Sequence, residues 1–299
     1  MLQSFQIGNI LFPTDFSKSS VAAAAYTAGL AEAAKSKVWL LNVVPCLSSW
    51  HGASEPYFDL FGDDERRGAH ANEQTEHATS LKTIHAFQKQ HFGNIASEIC
   101  VKRGAVAESI TEYANDIDAD LIVMPTRGWG PIRRFLIGST TAKLLHDSRR
   151  PVLTSAHPRE LDPFRPYRHV VCAMDYRSPS RDLPLRAVQV AQSFNSRLSI
   201  VSAIPCPGMF DVPCSGRKSV QPMKRETIDT LKALVRDLGI KAAVDVLEGS
   251  VGEVVREVAV ADDADLIVIA HGHLDEPMGH LRTHAYEIIW NAPCPVLVV

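Results

Sequence analysis

No run of apolar residues in this sequence approaches the ~20 needed to span a bilayer, so a membrane protein built on apolar helices is not expected. The first residues, Met1-Leu2-Gln3-Ser4-Phe5-Gln6, also lack a basic start followed by an apolar core, and without that signal pattern a cytoplasmic location is expected. Charge of either sign is not in excess. With 31 Lys and Arg against 34 Asp and Glu, a formal net charge of -3 gives no general pull toward nucleic acid or an anionic membrane. The six cysteines form no C-x-x-C pair, and a chain of this size needs no disulfide framework, so reduced thiols are expected.

Several catalytic signatures are missing too. There is no Gly-x-x-x-x-Gly-Lys-Ser/Thr phosphate loop, no Gly-x-Ser-x-Gly elbow and no cysteine with a local histidine signature. His271, His273, His280 and His284 are close together, but their spacing follows no zinc pattern. A dedicated enzyme is therefore the less favoured class, and no metal site is expected.

What is present is a repeat. Asn9-Ile10-Leu11-Phe12-Pro13-Thr14-Asp15-Phe16 is matched by His169-Val170-Val171-Cys172-Ala173-Met174-Asp175-Tyr176, an offset of 160. The same offset aligns Val38 to Cys46 with Leu198 to Cys206, down to the terminal Pro-Cys. Further on, Val101 to Glu108 parallels Leu247 to Glu253, and Asp118-Ala119-Asp120-Leu121-Ile122-Val123 recurs as Asp263-Ala264-Asp265-Leu266-Ile267-Val268, now at 145. The second copy thus has a shorter middle.

At 299 residues, 45% apolar and 22% charged, the chain has material for two globular domains. Three prolines between His157 and Pro166 disfavour both helix and central strand, which puts the linker there and the domains at 1–156 and 167–299. Short apolar strand patterns alternate with helical ones over Ser20 to Lys35, Ala71 to His91 and Val106 to Ile117. That alternation predicts an α/β fold of two tandem doubly wound domains, each a five-stranded parallel sheet flanked by helices. Leu121 to Met124 and Leu266 to Ile269 have no polar alternate face, as expected of strands covered on both sides. Residues 46–68 read as an irregular insertion, more a packed surface loop than a lid.

Ligands of open parallel sheets collect at the carboxyl ends of the strands, where strand order reverses. Asp15, Val43 and the segment after Met124 fall at such ends. From Met124 to Asp147 the sequence reads as a strand end, a glycine-containing loop, and Gly138-Ser139-Thr140 opening a helix. A helix start offers unpaired N–H groups and a positive dipole end, and Gly138 lets an anion approach bare backbone. The same glycines could equally serve as ordinary turn and cap residues. Asp15 also has two readings, a helix cap in company with Ser17 or Ser19, or a ligand contact.

Pro13-Thr14-Asp15, Val43-Val44-Pro45, and Gly128 followed after nine residues by Gly138-Ser139 resemble the universal stress protein family, one domain per repeat over nearly the whole chain. The resemblance implies an adenine nucleotide alpha hydrolase-like fold and an adenine nucleotide, ATP or AMP, with or without Mg²⁺. It places that nucleotide among Pro13, Thr14, Asp15, Val43, Met124, Pro125, Arg127, Gly128, Gly138, Ser139 and Thr140. The family's first loop glycine is Pro125 here, which has no N–H to donate. In the second copy, Arg282-Thr283 stands where Gly138-Ser139 would be, so only the first copy is expected to bind. The family also pairs domains through their final strands, which implies an internal pseudo-dimer through Pro151 to Thr154 and Pro295 to Val298, with a homodimer as a further option. An adaptor role with an unidentified protein partner, independent of nucleotide, is the alternative.

Overall fold

The computed structural model describes residues 5–45, 63–125, 138–155, 164–177, 180–204, 220–271 and 280–299, with residues 63–74, 155 and 280–283 described by backbone alone. The first repeat runs β1 (Asn9–Pro13), α1 (Lys18–Ala34), β2 (Lys37–Pro45), α2 (Asp63–Phe92), β3 (Ser97–Gly104), α3 (Val106–Asp116), β4 (Leu121–Pro125), α4 (Ser139–Asp147) and β5 (Val152–Ser155). The second runs β6 (His169–Ala173), α5 (Asp182–Ser193), β7 (Arg197–Ile204), α6 (Gln221–Asp237), β8 (Ala243–Glu248), α7 (Val251–Ala261), β9 (Leu266–Ile269), α8 (His280–Asn291) and β10 (Val296–Val298). The regular alternation is the α/β class the sequence pattern predicts. Among the described residues, no helix is long and apolar enough to cross a membrane.

Contacts divide the chain into two units, one of Ile7–Arg150 with Pro158–Phe164, the other of Met1–Gln6, Pro151–His157 and Arg165–Val299. In the first unit the strand order is β3-β2-β1-β4. β1 lies between two parallel neighbours, with Ile10 opposite Val38 on one side and Leu121 on the other. Its Ile10, Leu11 and Phe12 are fully buried, which explains the unbroken apolar run. The second unit has the order β5-β10-β9-β6-β7-β8, with β6 in the place of β1. Its β5 comes from the first repeat and pairs antiparallel with β10, Leu153 opposite Leu297 and Val152 opposite Val298. The contact units therefore do not follow the repeats. β5 leaves the first because its backbone hydrogen bonds go to the last strand of the second. Phe164, inside the linker segment, joins the first unit by meeting Tyr26 edge-on at 5.4 Å.

The reading of 46–68 as one irregular insertion is corrected at its end. Residues 63–68 belong to α2. Residues 46–62 lie outside the described residues.

The repeat persists in individual hydrogen bonds. Asp120 Oδ2 accepts from the N–H groups of Gly8 and Asn9 at 2.8 and 2.9 Å, and Asp265 Oδ2 accepts from Arg168 and His169 at 2.7 and 3.0 Å. The recurrent Asp-Ala-Asp thus clamps the first strand of each repeat at its start. Its leading aspartates, Asp118 and Asp263, both turn the chain with positive φ, 48° and 50°, a conformation that Asp tolerates better than most residues. Gly104 and Gly249, at φ 144° and 153°, occupy backbone that side-chain-bearing residues rarely adopt.

Candidate functional site

In the first unit, strand order reverses between β1 and β4; β1 is followed by α1, and β4 precedes α4 in chain order. At the end of β1, the Thr14 N–H donates to the Leu41 carbonyl at 2.9 Å, and the Thr14 carbonyl accepts from the buried Asn42 Nδ2 at 2.8 Å. The Thr14 hydroxyl accepts from the Phe16 N–H at 3.0 Å. Phe16 adopts φ 61°, an uncommon conformation for an aromatic residue, and its ring lies edge-on to Phe87 at 5.8 Å.

The two readings of Asp15 and its serines now separate. Ser17 is the N-cap of α1, its hydroxyl accepting from the Ser20 N–H at 3.2 Å. Asp15 Oδ1 accepts from the Ser17 N–H at 3.0 Å and the Ser20 hydroxyl at 2.7 Å. It braces the turn that carries the cap, while the residue itself remains exposed. Partial burial raises the carboxyl pKa, but the hydrogen bonds from Ser17 and Ser20 together outweigh that effect and hold it below its ordinary value. Pro13 is buried at the strand end, and Val43 is half-buried on β2 opposite Lys102.

At the second strand end, Met124 and Pro125 are both buried. The Pro125 carbonyl accepts from the hydroxyl of the buried Thr141 at 3.1 Å, so the oxygen that the proline could offer a ligand already ties β4 to the first turn of α4. Gly138 is the N-cap of α4, with φ -57° and ψ 143° and no side-chain cap hydrogen bond. Its carbonyl accepts from the Ala142 N–H at 2.8 Å, as an N-cap carbonyl should. Any residue adopts φ -57°, so conformation does not call for glycine here. What glycine supplies is the missing side chain over the helix start. Ser139 is exposed and Thr140 half-buried beside it. Arg127 and Gly128 lie outside the described residues.

Two contributors escaped the sequence reading. Asn42 was visible as a polar interruption of the apolar run from Val38 to Val44, with Ser202 at the matching place in the second copy. Thr141 signalled itself only by sharing a helix face with Leu144, and both are buried.

The second unit repeats half of this arrangement. The Met174 N–H donates to the Val201 carbonyl at 2.8 Å, the Ser202 hydroxyl donates to the Met174 carbonyl at 2.8 Å, and Asp175 Oδ1 accepts from the Arg177 N–H at 2.8 Å. The helix start differs. Arg282 lies within α8, described from His280 onward, whereas Gly138 precedes its own helix. Among the described residues, no three His, Cys, Asp or Glu side chains gather as a metal site. Cys100, Cys172 and Cys294 are free thiols, and burial pushes the last two up to about 12.

Comparison with known proteins agrees with the fold. The universal stress protein family profile matches twice, over residues 6–155 and 166–299. Universal stress protein A homolog 1 of Coxiella burnetii is 31% identical over 142 residues, covering 44% of this chain and 96% of its own. A universal stress protein of Methanocaldococcus jannaschii is 27% identical over 159 residues, covering 50% and 83%. A crystal structure of a universal stress protein from Archaeoglobus fulgidus superposes with a TM-score of 0.65 at 19% identity, covering 99% of this chain and 97% of that one. With both repeats matched along nearly their whole length, the chain belongs to the universal stress protein family, as a tandem two-domain member.

Proposed function

We propose that this protein is a nucleotide-responsive regulator that holds ATP or AMP at the first repeat and does not turn it over. The observation that carries the reading is the start of α4. Gly138 has an ordinary backbone conformation and no side-chain cap, so no Cβ at the N-cap stands between an anion and the first N–H groups of the helix, and the dipole favours an anion there. Ser139 and Thr140 would add hydroxyl donors to a phosphate, while Thr14, Asp15 and Val43 border the adjoining strand ends. Mg²⁺ would arrive with the phosphates, because no acidic cluster among the described residues holds it beforehand. The second repeat, whose helix carries Arg282 where the first presents bare backbone, is proposed not to bind.

The test is to quantify adenine nucleotide released on denaturing the purified protein, alongside calorimetric titration of wild type and Gly138→Arg with ATP and AMP. About one nucleotide per chain, lost in the variant, supports the reading. Equal affinity in the two proteins would sink it, and nucleotide-dependent phosphate release abolished by Gly138→Arg would make the site catalytic. A nucleotide-independent adaptor is the second reading. It is favoured by the engagement of Asp15 Oδ1 and the Pro125 carbonyl within the protein itself, and would stand if no nucleotide is released and no binding heat is seen.

A further inference from the structure

β3 ends the strand order of the first unit and β8 that of the second, while the last strands of the two repeats, β5 and β10, are taken up by each other. An outer strand presents a row of backbone groups with no strand beside it, which invites pairing with another chain unless the edge repels it. On β3 that row can be located. The Val38 N–H donates to the Ala96 carbonyl at 2.9 Å, and successive residues of a strand turn their N–H and C=O to opposite neighbours. Ala96, Glu98, Cys100 and Lys102 therefore face β2. Ser97, Ile99, Val101 and Arg103 turn their backbone groups outward, and the Ser97 carbonyl accepts from Gln88 Nε2 at 3.0 Å. Among the described residues no strand pairs with this row, and no residue from Ser97 to Gly104 is buried.

The charges on β3 are self-complementary. Set antiparallel against a second copy about a two-fold axis at Cys100, Glu98 comes opposite Lys102 of that copy, and Lys102 opposite its Glu98. In the same register Ile99 meets Val101 and Ser97 meets Arg103, outward residue against outward residue, so the backbone bonds close. Glu98, Cys100 and Lys102 then form the close, non-hydrogen-bonded pairs, with Cα atoms about 4.5 Å apart. Within each chain Glu98 pairs with Lys37, and Lys102 pairs with Asp116 at 3.2 Å. The joint would therefore carry, twice over, a row of alternating sign from Lys37 through Glu98 and Lys102 to Asp116. A lone surface ion pair contributes little, and a network contributes more. Moving the axis to Ile99 or Val101 breaks the match, since Glu98 then faces Cys100 or Gly104. β8 offers nothing comparable: its charged residues, Asp245 and Glu248, are both acidic and exposed, so no register of two β8 strands brings opposite charges together.

We propose that β3 is a self-association edge, pairing antiparallel with β3 of a second copy of this chain about a two-fold axis at Cys100. This inference does not rest on nucleotide binding. The partner is a second copy because Glu98 and Lys102 stand symmetrically about Cys100, a placement that only the same strand reversed can answer on both sides. A two-fold contact also closes at two chains. Pairing of β3 with the acidic β8 of another copy would propagate without closing, and it aligns no more than one opposite-charge pair, where the two-fold aligns two.

The experiment is sedimentation of the full chain over a concentration series, for wild type and three variants. Val101→Pro removes an outward N–H that the ladder to β2 does not use, at an edge position where a strand tolerates proline, and it should abolish the dimer. Glu98→Lys sets lysine against lysine across the axis, and Lys102→Glu sets glutamate against glutamate. Each alone should dimerise roughly tenfold more weakly or worse, since two pairs pass from attraction to repulsion. Mixed in equal amounts, the two charge variants regain both opposite-charge pairs and should dimerise again, as a heterodimer. Cys100 is a free thiol, and oxidation of wild type with copper phenanthroline should join Cys100 to Cys100, because the Cα separation of the register suits a disulfide. A wild type that stays monomeric overturns the proposal. So do a dimer unaffected by Val101→Pro, a dimer that no Cys100 disulfide traps, a mixture that associates no better than its components, and open-ended assemblies. If Val101→Pro does not fold, the charge variants and their mixture decide, since neither position is buried.

Discussion

Replacing Thr141 by valine should separate the architecture of the α4 start from its openness to ligand. The substitution keeps the branched shape at a position that is 2% exposed and removes only the hydroxyl that donates to the Pro125 carbonyl at 3.1 Å. A typical intramolecular hydrogen bond contributes about 1 kcal/mol, and a buried acceptor left without its donor costs about 1–3 kcal/mol. Pro125 is buried at the end of β4, so the loss should fall in that range, a shift of at least ~5-fold in the folding equilibrium. The assay is urea unfolding with Thr141→Ser as control, together with hydrogen-exchange mass spectrometry on peptides covering β4 and α4. Valine should lower the midpoint at constant slope and speed exchange at the first turn of α4, while serine stays near wild type. Equal midpoints for valine and serine, with unchanged exchange, would refute a tie between Thr141 and Pro125.

Asp120→Ala and Asp265→Ala should each destabilise by about 1–2 kcal/mol, because each removes the carboxylate oxygen that accepts from one exposed and one part-buried backbone N–H; similar losses in chemical unfolding would confirm equivalent roles, and a loss in only one would not. Gly252→Ala should weaken the α7 to α8 packing by about 1–3 kcal/mol, since its Cβ would come within 2.5 Å of Glu287 Cγ and 2.8 Å of the Glu287 carbonyl; thermal unfolding reads this. Asp15 has a folded-state pKa below its ordinary 3.8, so the stability it contributes is complete above about that pH and is lost as pH falls through the lower folded value. Asp15→Asn should accordingly flatten the acid limb of stability below about pH 4, measured by urea midpoints, and an unchanged acid limb would count against the Ser17 and Ser20 bonds.

The alternation of elements, the tandem repeat and the helix start at Gly138 were all legible in the sequence, because each rests on local pattern: apolar period, turn residues and recurrence at a fixed offset. Functions that depend on a partner far away in the chain were not. Asp120 stood out as part of a recurrent motif, yet nothing local says that its carboxylate reaches back 112 residues to the Gly8 N–H. Asn42 and Thr141 left a trace in the local pattern, but their partners, the carbonyls of Thr14 and Pro125, did not. The transfer of β5 to the unit of the second repeat follows from one antiparallel pairing, a choice of hydrogen-bond partner that two similar apolar strands do not spell out.

Comparison of the repeats within one chain also bears on which residue could set the copy proposed to bind apart from the copy proposed not to. Asp15 and Asp175 both accept a backbone N–H two residues on, and the backbone bond from Thr14 to Leu41 recurs from Met174 to Val201. An aspartate doing the same local work in both copies cannot by itself make one of them a nucleotide site. The helix sequences do differ: in the first copy a glycine is the N-cap, and in the second the corresponding Arg282 lies within α8. On the proposal that only the first copy binds, the discriminating position is therefore Gly138 and not Asp15.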